Sequence, residues 1–408
     1  MSDARAVQLQ SQYDAFKAAG LKLDLTRGKP SSEQLDLANG LDGILEGFYV
    51  LQDGTDVRNY GGLLGIPEAR RLGADLIGTH PDNVMAAGNS SLTLMYQYIE
   101  HLLKDWDALG HESLKFLCPV PGYDRHFTVC EHFNIEMINI DMTESGPDMD
   151  QIETLVKEDP AIVGIWCVPK YSNPTGQTYS RETVERFAQM PTFAGPGFQI
   201  MWDNAYAVHH ISDQPDELEE LLKLAEKAGT ADHVAVFAST SKITLAGAGV
   251  AFMATTPGRL ERFEHYLADQ TIGFDKVNQL RHVRFLRDAA GIEEHMRKHQ
   301  VLLKPKFDLV QEKLDALNGR NIATWTRPKG GYFVSLNTRP GLASEVVALA
   351  AGAGVKLTPA GATFPYGRDP QNQNIRIAPT YPSIEELDQA MDVFVTCLEL
   401  ATLHAQDR

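Results

Sequence analysis

Six short apolar runs, alternating with amphipathic stretches, constrain the fold of this chain more than any other feature of its sequence. Several runs are apolar throughout, which is typical of parallel strands buried on both faces of a sheet. The polar turn sequences PVPGY, YSNPTG, DNAY and STSK follow four of them. Because ligands bind beyond the C-terminal ends of strands in open α/β sheets, we expect these four clusters to meet in one crevice. The predicted strands are Leu114–Pro119, Glu136–Ile140, Ala161–Val168, Phe198–Asp203, His233–Ala238 and Gly249–Ala254.

The pattern changes after about Phe285. The apolar spacing of residues 291–318 predicts one long helix, and a hairpin-like KGGYFVSLN, a short strand at Val355–Thr358 and a helix from Ser383 follow. A chain of 408 residues is long enough for two packed domains. We therefore expect a large domain of residues 46–288, and a smaller α+β domain in which the N-terminal arm, residues 1–45, packs with residues 289–408.

Charge and composition exclude several classes of partner. A net charge of −17 argues against nucleic acid and anionic membranes, which both demand a basic surface. No stretch holds the roughly 18 uninterrupted apolar residues of a membrane span, and the first 20 residues lack the apolar core of a signal peptide. The four cysteines are scattered, which is typical of reduced thiols. We expect a cytoplasmic protein that acts on small molecules, with no metal.

Lys242 is the first candidate for covalent chemistry. It lies in Ser239-Thr240-Ser241-Lys242, directly after the apolar run HVAVFA. A lysine held at a strand end among small hydroxyl residues can lose its proton when desolvated and form a Schiff base with a carbonyl compound. An exposed loop lysine is the commoner structure for such a motif, so the motif alone does not decide between the two.

Carboxylate and amide groups stand at the neighbouring strand ends. Asp203 ends the run GFQIMWD, and a carboxylate at the end of a buried strand is costly unless it meets a cation. The alternative is that Asp203 caps the next turn. Tyr206 follows three residues later, and Asn173 lies in SNPTG, which is also a common structural turn. These residues are candidate ligands of a bound aromatic cation.

Three further motifs fit anion binding or aromatic stacking. Gly88-Asn89-Ser90-Ser91 opens a predicted helix, whose free N–H groups favour phosphate, although ordinary serine caps are commoner. Tyr123, in PVPGYDRH, is a candidate to stack on a ring, while most such tyrosines only pack. Arg376 stands inside the apolar run NIRIAP and needs a carboxylate partner, either a substrate or a structural acid.

In this order the motifs resemble the fold-type-I pyridoxal-phosphate enzymes of the class I/II aminotransferase superfamily. The matching segments run through almost the whole chain: NYGGLLG, GNSSL, PGY, NPTG, DNAY, STSK, KGGYF, PAGATF and NIRIAP. STSKITLAGAGVAF and FDKVNQLRHVRF are similar to the bacterial aspartate aminotransferases related to MocR-type regulators. The resemblance implies a large domain with a mainly parallel, seven-stranded sheet between helices, a smaller α+β domain, and pyridoxal 5′-phosphate as cofactor.

The resemblance also implies a role for each motif residue. Lys242 would hold the cofactor covalently and move the proton at the substrate α-carbon, and Arg376 would bind the α-carboxylate. Tyr60 would reach the phosphate of the neighbouring subunit, which implies an obligate homodimer with shared active sites. The other implied cofactor contacts are Asp203 with the ring nitrogen, Asn173 and Tyr206 with the phenolate oxygen, Tyr123 with the ring face, and Ser90, Ser91, Ser239 and Ser241 with the phosphate.

The chain departs from the family pattern at one point. Many relatives carry a phosphate-binding arginine about eight residues beyond the lysine, where this chain reads Ala248-Gly249-Val250. Phosphate binding would then depend on hydroxyl and backbone N–H groups, or on another basic residue such as Lys276.

A dicarboxylate substrate requires a second cation. Arg125 is the first candidate, since it lies two residues after Tyr123. Arg27 and Lys29 compete with it, because they flank Gly28 in the TRGKP segment that we place on the substrate side. The alternative for Arg125 is a structural ion pair with Asp124 or a surface acid.

The predicted activity is transfer of the amino group of aspartate or glutamate to a 2-oxo acid such as 2-oxoglutarate by a ping-pong mechanism. Alternatives of the same fold are an aminotransferase of broader specificity, acting on aromatic amino acids, kynurenine or alanine, and a β-lyase. A cofactor-binding sensor of the MocR type would need a DNA-binding domain. A nucleotide-binding enzyme is disfavoured because GxGxxG spacing is missing. His295 and His299 lack the glutamate of a zinc-protease motif, and we place them on a solvated helix face.

Overall fold

The computed structural model describes residues 3–406, and a strand lies at each of the six predicted apolar runs. The ends of the six predicted strands agree with the observed ends to within three residues. The strands are β1 (Leu23–Asp24), β2 (Val84–Ala86), β3 (Lys115–Val120), β4 (Glu136–Thr143), β5 (Gly146–Pro147), β6 (Ile162–Cys167), β7 (Gln199–Asp203), β8 (Val234–Ser239), β9 (Ala251–Ala254), β10 (Ala323–Trp325), β11 (Val334–Thr338), β12 (Val355–Lys356) and β13 (Asn374–Ile377).

Helices separate most of these strands. Several begin with a side-chain cap, such as Asp148 at the start of the helix Met149–Glu158 and Ser180 at the start of Arg181–Gln189. The α-helices are α1 (Asp3–Ala19), α2 (Ser32–Asp36), α3 (Pro67–Ile77), α4 (Ser91–Ala108), α5 (Asp124–His132), α6 (Met149–Glu158), α7 (Arg181–Gln189), α8 (Leu221–Ala228), α9 (Pro257–Ala268), α10 (Lys276–Leu286), α11 (Ala289–Asp315), α12 (Ala343–Gly352) and α13 (Ile384–Gln406).

The central sheet has the strand order β2-β9-β8-β7-β6-β3-β4-β5. The pairs β3–β4, β3–β6, β6–β7 and β7–β8 are parallel, whereas β9 runs antiparallel to both β2 and β8. The expected α/β fold with a mainly parallel sheet is confirmed. The sheet has eight strands and not the seven expected, because the two-residue β5 pairs antiparallel with β4 at one edge.

Helices cover both faces of this sheet, which explains why its strands are apolar throughout. Every residue of β6 and β7 is buried. One face packs against α3, α6, α7 and α8, and the other against α4, α5 and α9. A sheet with two covered faces leaves only its edges and the ends of its strands open to a ligand.

The C-terminal part forms a second core around the antiparallel sheet β10-β11-β13. The N-terminal arm packs against it, since β1 pairs with β12 and Arg5 in α1 binds the Glu399 carboxylate in α13. The long helix predicted from residue 291 is α11, which carries Pro305 in its interior. None of the helices in residues 3–406 combines the length and apolarity that a membrane span requires.

One local prediction is wrong. His295 and His299 do not lie on a solvated face of α11, because their exposed fractions are only 5% and 1%. Both imidazoles contact the backbone carbonyl of Ile243, immediately after Lys242. The apolar periodicity of residues 291–318 predicts the helix, but it does not show which neighbouring segment covers the face that carries the two histidines.

Candidate active site

A cavity of about 580 Å³ lies at the carboxyl ends of β3, β6, β7 and β8, between the two cores. The four polar clusters that follow these strands all contribute to its wall, as their positions predict. Its lining includes Thr26, Arg27, Gly28, Lys29, Ser91, Tyr123, Asp124, Arg125, Asn173, Asp203, Tyr206, Lys242, Phe333, Thr358 and Arg376.

Lys242 projects from a single helical turn that follows β8. The Thr240 carbonyl closes this turn by accepting from the backbone N–H groups of Ile243 at 2.9 Å and Thr244 at 2.8 Å. Burial lowers the pKa of Lys242, an effect that the nearby Asp203 carboxylate partly opposes. Its Nζ lies 5.1 Å from the centre of the Tyr206 ring. A lowered pKa increases the fraction of free amine, which is the form that attacks a carbonyl carbon.

Asp203 has one satisfied and one unsatisfied oxygen. Its Oδ2 lies 2.9 Å from Nε2 of His126, while Oδ1 is buried and has no hydrogen-bond partner among the described residues 3–406. The His126 imidazole stacks on Trp166 at 4.2 Å, which fixes its orientation. A buried carboxylate oxygen without a partner is costly, so this atom is suited to an N–H donor on a bound molecule.

His126 was not among the predicted site residues. It lies three residues after Tyr123, and both residues stand at the start of α5, where positions three apart share a face. That spacing in PGYDRH is the signal that indicates its position. The rings of Tyr123 and His126 are 4.9 Å apart.

The two tyrosines of the cavity are neutral phenols. Burial raises the pKa of Tyr206 well above its usual value and that of Tyr123 to about 12. Both hydroxyl groups therefore keep their protons near neutral pH and are able to donate hydrogen bonds. Asn173 is also buried, and its Oδ1 accepts from Nη1 of Arg376 at 3.3 Å.

Arg376 is buried with part of its guanidinium free. Its Nη1 donates to Oδ1 of Asp124 at 3.0 Å, and its plane lies over the Phe333 ring at 4.9 Å. Its Nε has no partner among residues 3–406, and Nη2 makes one long contact, of 3.4 Å, with Thr358. Since Nε and Nη2 form one edge of the guanidinium, that edge is suited to a carboxylate. Asp124 thus pairs with Arg376 and not with Arg125.

The predicted phosphate ligands surround the start of α4. Ser91 lines the cavity, whereas Ser90, Ser239 and Ser241 do not. Ser90 and Ser241 directly precede the lining residues Ser91 and Lys242. Ser239 Oγ donates to Ser241 Oγ at 3.1 Å, and Ser241 Oγ contacts the Asn89 carbonyl at 3.4 Å. Ser90 is the N-cap residue of α4, but its side chain makes no capping bond. Hydroxyl groups and the N-terminus of α4 therefore gather at one rim of the cavity.

Tyr60 and Lys276 do not line this cavity. The Tyr60 residue is 83% exposed. Lys276 donates from Nζ to the carbonyls of Asn59 at 2.7 Å and Gly61 at 2.5 Å. Lys276 thus holds the loop that carries Tyr60, and the suggestion that it replaces the missing phosphate-binding arginine finds no contact that supports it.

The TRGKP segment forms the opposite wall of the cavity. Arg27, Gly28, Lys29 and Arg125 all line it. A Cβ atom at Gly28 would come within 2.3 Å of the Phe333 ring, which explains the glycine. Lys29 Nζ lies 3.8 Å from the centre of the Tyr381 ring.

Comparison with known proteins decides the family. The model of a family described as aspartate amino-transferase matches residues 1–407. The chain belongs to this family. The expectation of a fold-type-I aminotransferase, and hence of a transaminase, is confirmed.

Two relatives of this aspartate aminotransferase family member are similar over more than nine tenths of their length. An aspartate aminotransferase of Corynebacterium glutamicum is 47% identical over 401 residues, which cover 96% of this chain and 92% of that protein. The crystal structure of an aspartate transaminase from Corynebacterium glutamicum has a TM-score of 0.94 and 44% identity, covering 99% and 98% of the two chains.

A more distant structure shares the fold. The α-aminoadipate aminotransferase LysN of Thermus thermophilus, complexed with N-(5′-phosphopyridoxyl)-L-leucine, has a TM-score of 0.77 and 22% identity, covering 94% and 93% of the chains. Aminotransferases of this fold use pyridoxal 5′-phosphate. The cavity of this aspartate aminotransferase family member fits pyridoxal 5′-phosphate, because it contains a desolvated lysine and a buried carboxylate oxygen without a hydrogen-bond partner.

Proposed function

We propose that this chain is an aspartate aminotransferase, which transfers the amino group of aspartate or glutamate to a 2-oxo acid such as 2-oxoglutarate with pyridoxal 5′-phosphate as cofactor. The observation that carries the proposal is the buried, unpaired Oδ1 of Asp203 in the same cavity as the desolvated amine of Lys242. The similarity to the Corynebacterium glutamicum aspartate aminotransferase supports the substrate class.

The residues that would hold the cofactor are those that the motifs indicate. When bound, pyridoxal phosphate supplies a ring that withdraws electrons from the substrate α-carbon. Asp203 would keep the ring nitrogen protonated, and His126 holds Asp203 in place through Oδ2. The remaining proposed contacts are Asn173 and Tyr206 with the phenolate oxygen, Tyr123 with the ring face, and Ser90, Ser91, Ser239 and Ser241 with the phosphate.

Lys242 then has two tasks. It would hold the cofactor covalently, and its free amine would move the proton at the substrate α-carbon. Because burial lowers its pKa, a larger fraction of the amine is unprotonated and able to accept that proton. The two half-reactions of a ping-pong mechanism use the same amine, first with the amino acid and then with the 2-oxo acid.

Arg376 and Arg125 are the proposed carboxylate ligands of the substrate. The free Nε–Nη2 edge of Arg376 faces the α-carboxylate, while Asn173 and Asp124 hold its Nη1. Arg125 is exposed at the cavity wall and binds the side-chain carboxylate of aspartate. Two cations at fixed separation select dicarboxylates over neutral amino acids.

Replacing Arg125 by alanine is expected to raise KM for aspartate and glutamate about 10- to 100-fold, because one charge-assisted contact is lost. Alanine, which has no second carboxylate, should be turned over with kcat/KM unchanged to within about twofold. Steady-state kinetics with the three amino acids and 2-oxoglutarate measure both values.

The competing cations provide the matched controls for Arg125. Arg27→Ala and Lys29→Ala remove a positive charge from the opposite wall of the same cavity. If either variant, and not Arg125→Ala, raises KM selectively for dicarboxylates, the second carboxylate site belongs to the TRGKP segment.

We also propose that the protein is a homodimer with shared active sites. Large apolar side chains at Phe48, Val50, Tyr60 and Ile272 are exposed. The loops around Tyr60 and Ile272 adjoin, since a Cβ at Gly273 would come within 2.7 Å of the Gly61 carbonyl. Contiguous exposed apolar surface marks an interface, and a partner subunit would cover it.

Hybrid dimers test whether Tyr60 acts across that interface. Tyr60→Ala homodimers are expected to bind pyridoxal phosphate about tenfold more weakly, because one hydrogen bond to a charged group is lost. When Tyr60→Ala and Lys242→Ala subunits are mixed, each hybrid dimer regains one site with both residues. Tight cofactor binding with activity should return in the hybrid; its failure to return would place Tyr60 outside the partner's site.

We propose three further properties of the chain: its domain limits, its location in the cell and its subgroup. We propose a large domain of residues 46–288 and a small domain of residues 1–45 and 289–408, because the two cores divide close to these limits. A cytoplasmic location is supported by four buried cysteines that form no disulfide. Membership of the MocR-related subgroup rests on the segment STSKITLAGAGVAF.

A panel of amino acids with 2-oxoglutarate and oxaloacetate tests the activity as a whole. Aspartate and glutamate should lead the panel, and the visible absorbance of the cofactor should change as each is added. A preference for aromatic or neutral amino acids would favour an aminotransferase of broader specificity. Release of pyruvate without transfer of nitrogen would favour the β-lyase.

A further inference from the structure

The buried histidines of α11 hold the backbone next to Lys242. Nε2 of His295 and Nε2 of His299 lie 2.7 Å and 2.9 Å from the Ile243 carbonyl. A carbonyl oxygen only accepts, so each Nε2 carries a proton. Burial lowers the pKa of both imidazoles, that of His299 to about 4, so both are neutral near pH 7. The Ile243 carbonyl thus receives two N–H bonds from one helix.

Gln34 fixes the other nitrogen of His299. The Gln34 side chain is wholly buried, and its Oε1 accepts from the backbone N–H of Ser31 at 3.1 Å in the capping box of α2. Its Nε2 must then face inward, where it donates to Nδ1 of His299 at 3.1 Å and to the Tyr332 hydroxyl at 2.9 Å. Both amide hydrogens of Gln34 are used, and the tautomer of His299 is determined.

Tyr332 completes the connection to the lysine. Its hydroxyl accepts from Gln34 and donates to the Lys242 carbonyl, a long bond of 3.5 Å. Its ring lies 5.9 Å from that of Tyr206 and 5.7 Å from that of the buried His209. The amide of Gln34 therefore reaches the carbonyls of Lys242 and Ile243 by two separate routes.

The same glutamine belongs to the segment that forms the substrate-side wall. Thr26–Lys29 lines the cavity, and α2 begins three residues later. This wall is held by hydroxyl groups of the small-domain part of the chain, since Thr358 donates to the Thr26 carbonyl at 2.8 Å and Thr380 to the Lys29 carbonyl at 2.9 Å. A shift of the wall would move Gln34 with it.

We propose that Gln34 and His299 are positioning residues that couple the Thr26–Lys29 wall to the backbone of Lys242. Neither residue lines the cavity. They set the position from which the lysine amine reaches the substrate α-carbon, and they adjust it to the wall. This inference rests on the proposed function, because it concerns the lysine only as the residue that holds the cofactor.

The proposal is tested on holoenzyme saturated with pyridoxal phosphate. Gln34→Met keeps the side-chain volume and removes both donors, so the variant should fold, while His299→Ala removes the imidazole. Each should lower kcat about tenfold, since the amine is displaced from its reactive position. Each should also change the visible circular dichroism of the bound cofactor, a signal that depends on its orientation and that a loss of stability alone does not alter.

A double-mutant cycle separates this coupling from two independent effects. Gln34→Met/His299→Ala should lower kcat about tenfold and not about a hundredfold, because both changes break the same connection. His299→Gln keeps an acceptor and a donor and should restore kcat to within about threefold of wild type.

His295→Ala is the matched control. It removes a donor to the same Ile243 carbonyl, but no hydrogen bond joins His295 to Gln34 within residues 3–406. Nε2 of His295 lies 3.2 Å from Nε2 of His299, but both nitrogens carry a proton, so this contact is not a hydrogen bond. Its effect on kcat should therefore multiply with that of Gln34→Met. Multiplicative effects for Gln34 and His299 as well, or unchanged circular dichroism in both single variants, would overturn the proposal. Failure of the proposed function is distinct, because wild-type protein would then either bind no cofactor or bind it without transferring the amino group of aspartate to 2-oxoglutarate.

Discussion

Replacing Lys242 by alanine is expected to lower the turnover of aspartate with 2-oxoglutarate by at least about 10⁴-fold. The variant loses both the amine that attaches the cofactor and the base that moves the α-proton, and each of these tasks contributes several powers of ten. Single-turnover kinetics with saturating pyridoxal phosphate measure the loss. Reduction with borohydride followed by peptide mapping should find the cofactor on residue 242 in wild-type protein and nowhere in the variant.

Lys170 provides the control for this experiment. Burial lowers its pKa to about 8, so its amine is desolvated like that of Lys242, but it lies outside the cavity. Lys170→Ala should keep kcat to within about twofold and keep the borohydride adduct. An adduct that survives in Lys242→Ala and disappears in Lys170→Ala would show that desolvation alone, without the cavity, selects the lysine.

The fold was predictable wherever burial on two faces dictates composition. The segments Ala161–Val168 and Phe198–Asp203 are apolar because helices cover both sides of the sheet, and β6 and β7 fall inside them. The edge strands β2 and β5 were not predicted. Three residues and two residues give too short a pattern, and only the neighbouring strand determines that they pair.

The site was predictable because topology places strand ends together. Once parallel strands are assigned, Asp203 and Lys242 must come close, whatever the details of packing. The positions of Gln34 and His299 near Lys242 cannot be predicted in this way. Both are distant in sequence from Lys242, and their contact with its backbone depends on how α2 and α11 pack, which no local pattern records.

The partners of individual side chains in the site could not be predicted from the sequence either. The spacing in PGYDRH places His126 on the same face as Tyr123 but does not show that it meets Asp203. In the same way, NIRIAP does not show that Asp124 is the structural partner of Arg376. In each case the partner lies on a different element, so the pairing is a property of the assembled sheet and not of either segment.

Replacing Asp203 by asparagine is expected to lower kcat about 10³-fold and to weaken the binding of pyridoxal phosphate. Asparagine has nearly the same volume, so the contact with His126, which stacks on Trp166, should persist. What disappears is the negative charge that keeps the ring nitrogen protonated, and a ring without that proton withdraws electrons poorly from the α-carbon. Steady-state kinetics and equilibrium titration with the cofactor measure the two losses separately.

Asp148→Asn is the matched control for this charge, because it makes the same substitution outside the cavity. Asp148 caps α6 through the backbone N–H groups of Asp150 and Gln151, and asparagine caps a helix about equally well, so kcat should not change. If Asp203→Asn retained kcat to within about tenfold of wild type, the unpaired Oδ1 would not be the partner of a charged ring nitrogen. The orphaned oxygen would then have to be explained by a neutral donor, and the cofactor would lie differently in the cavity.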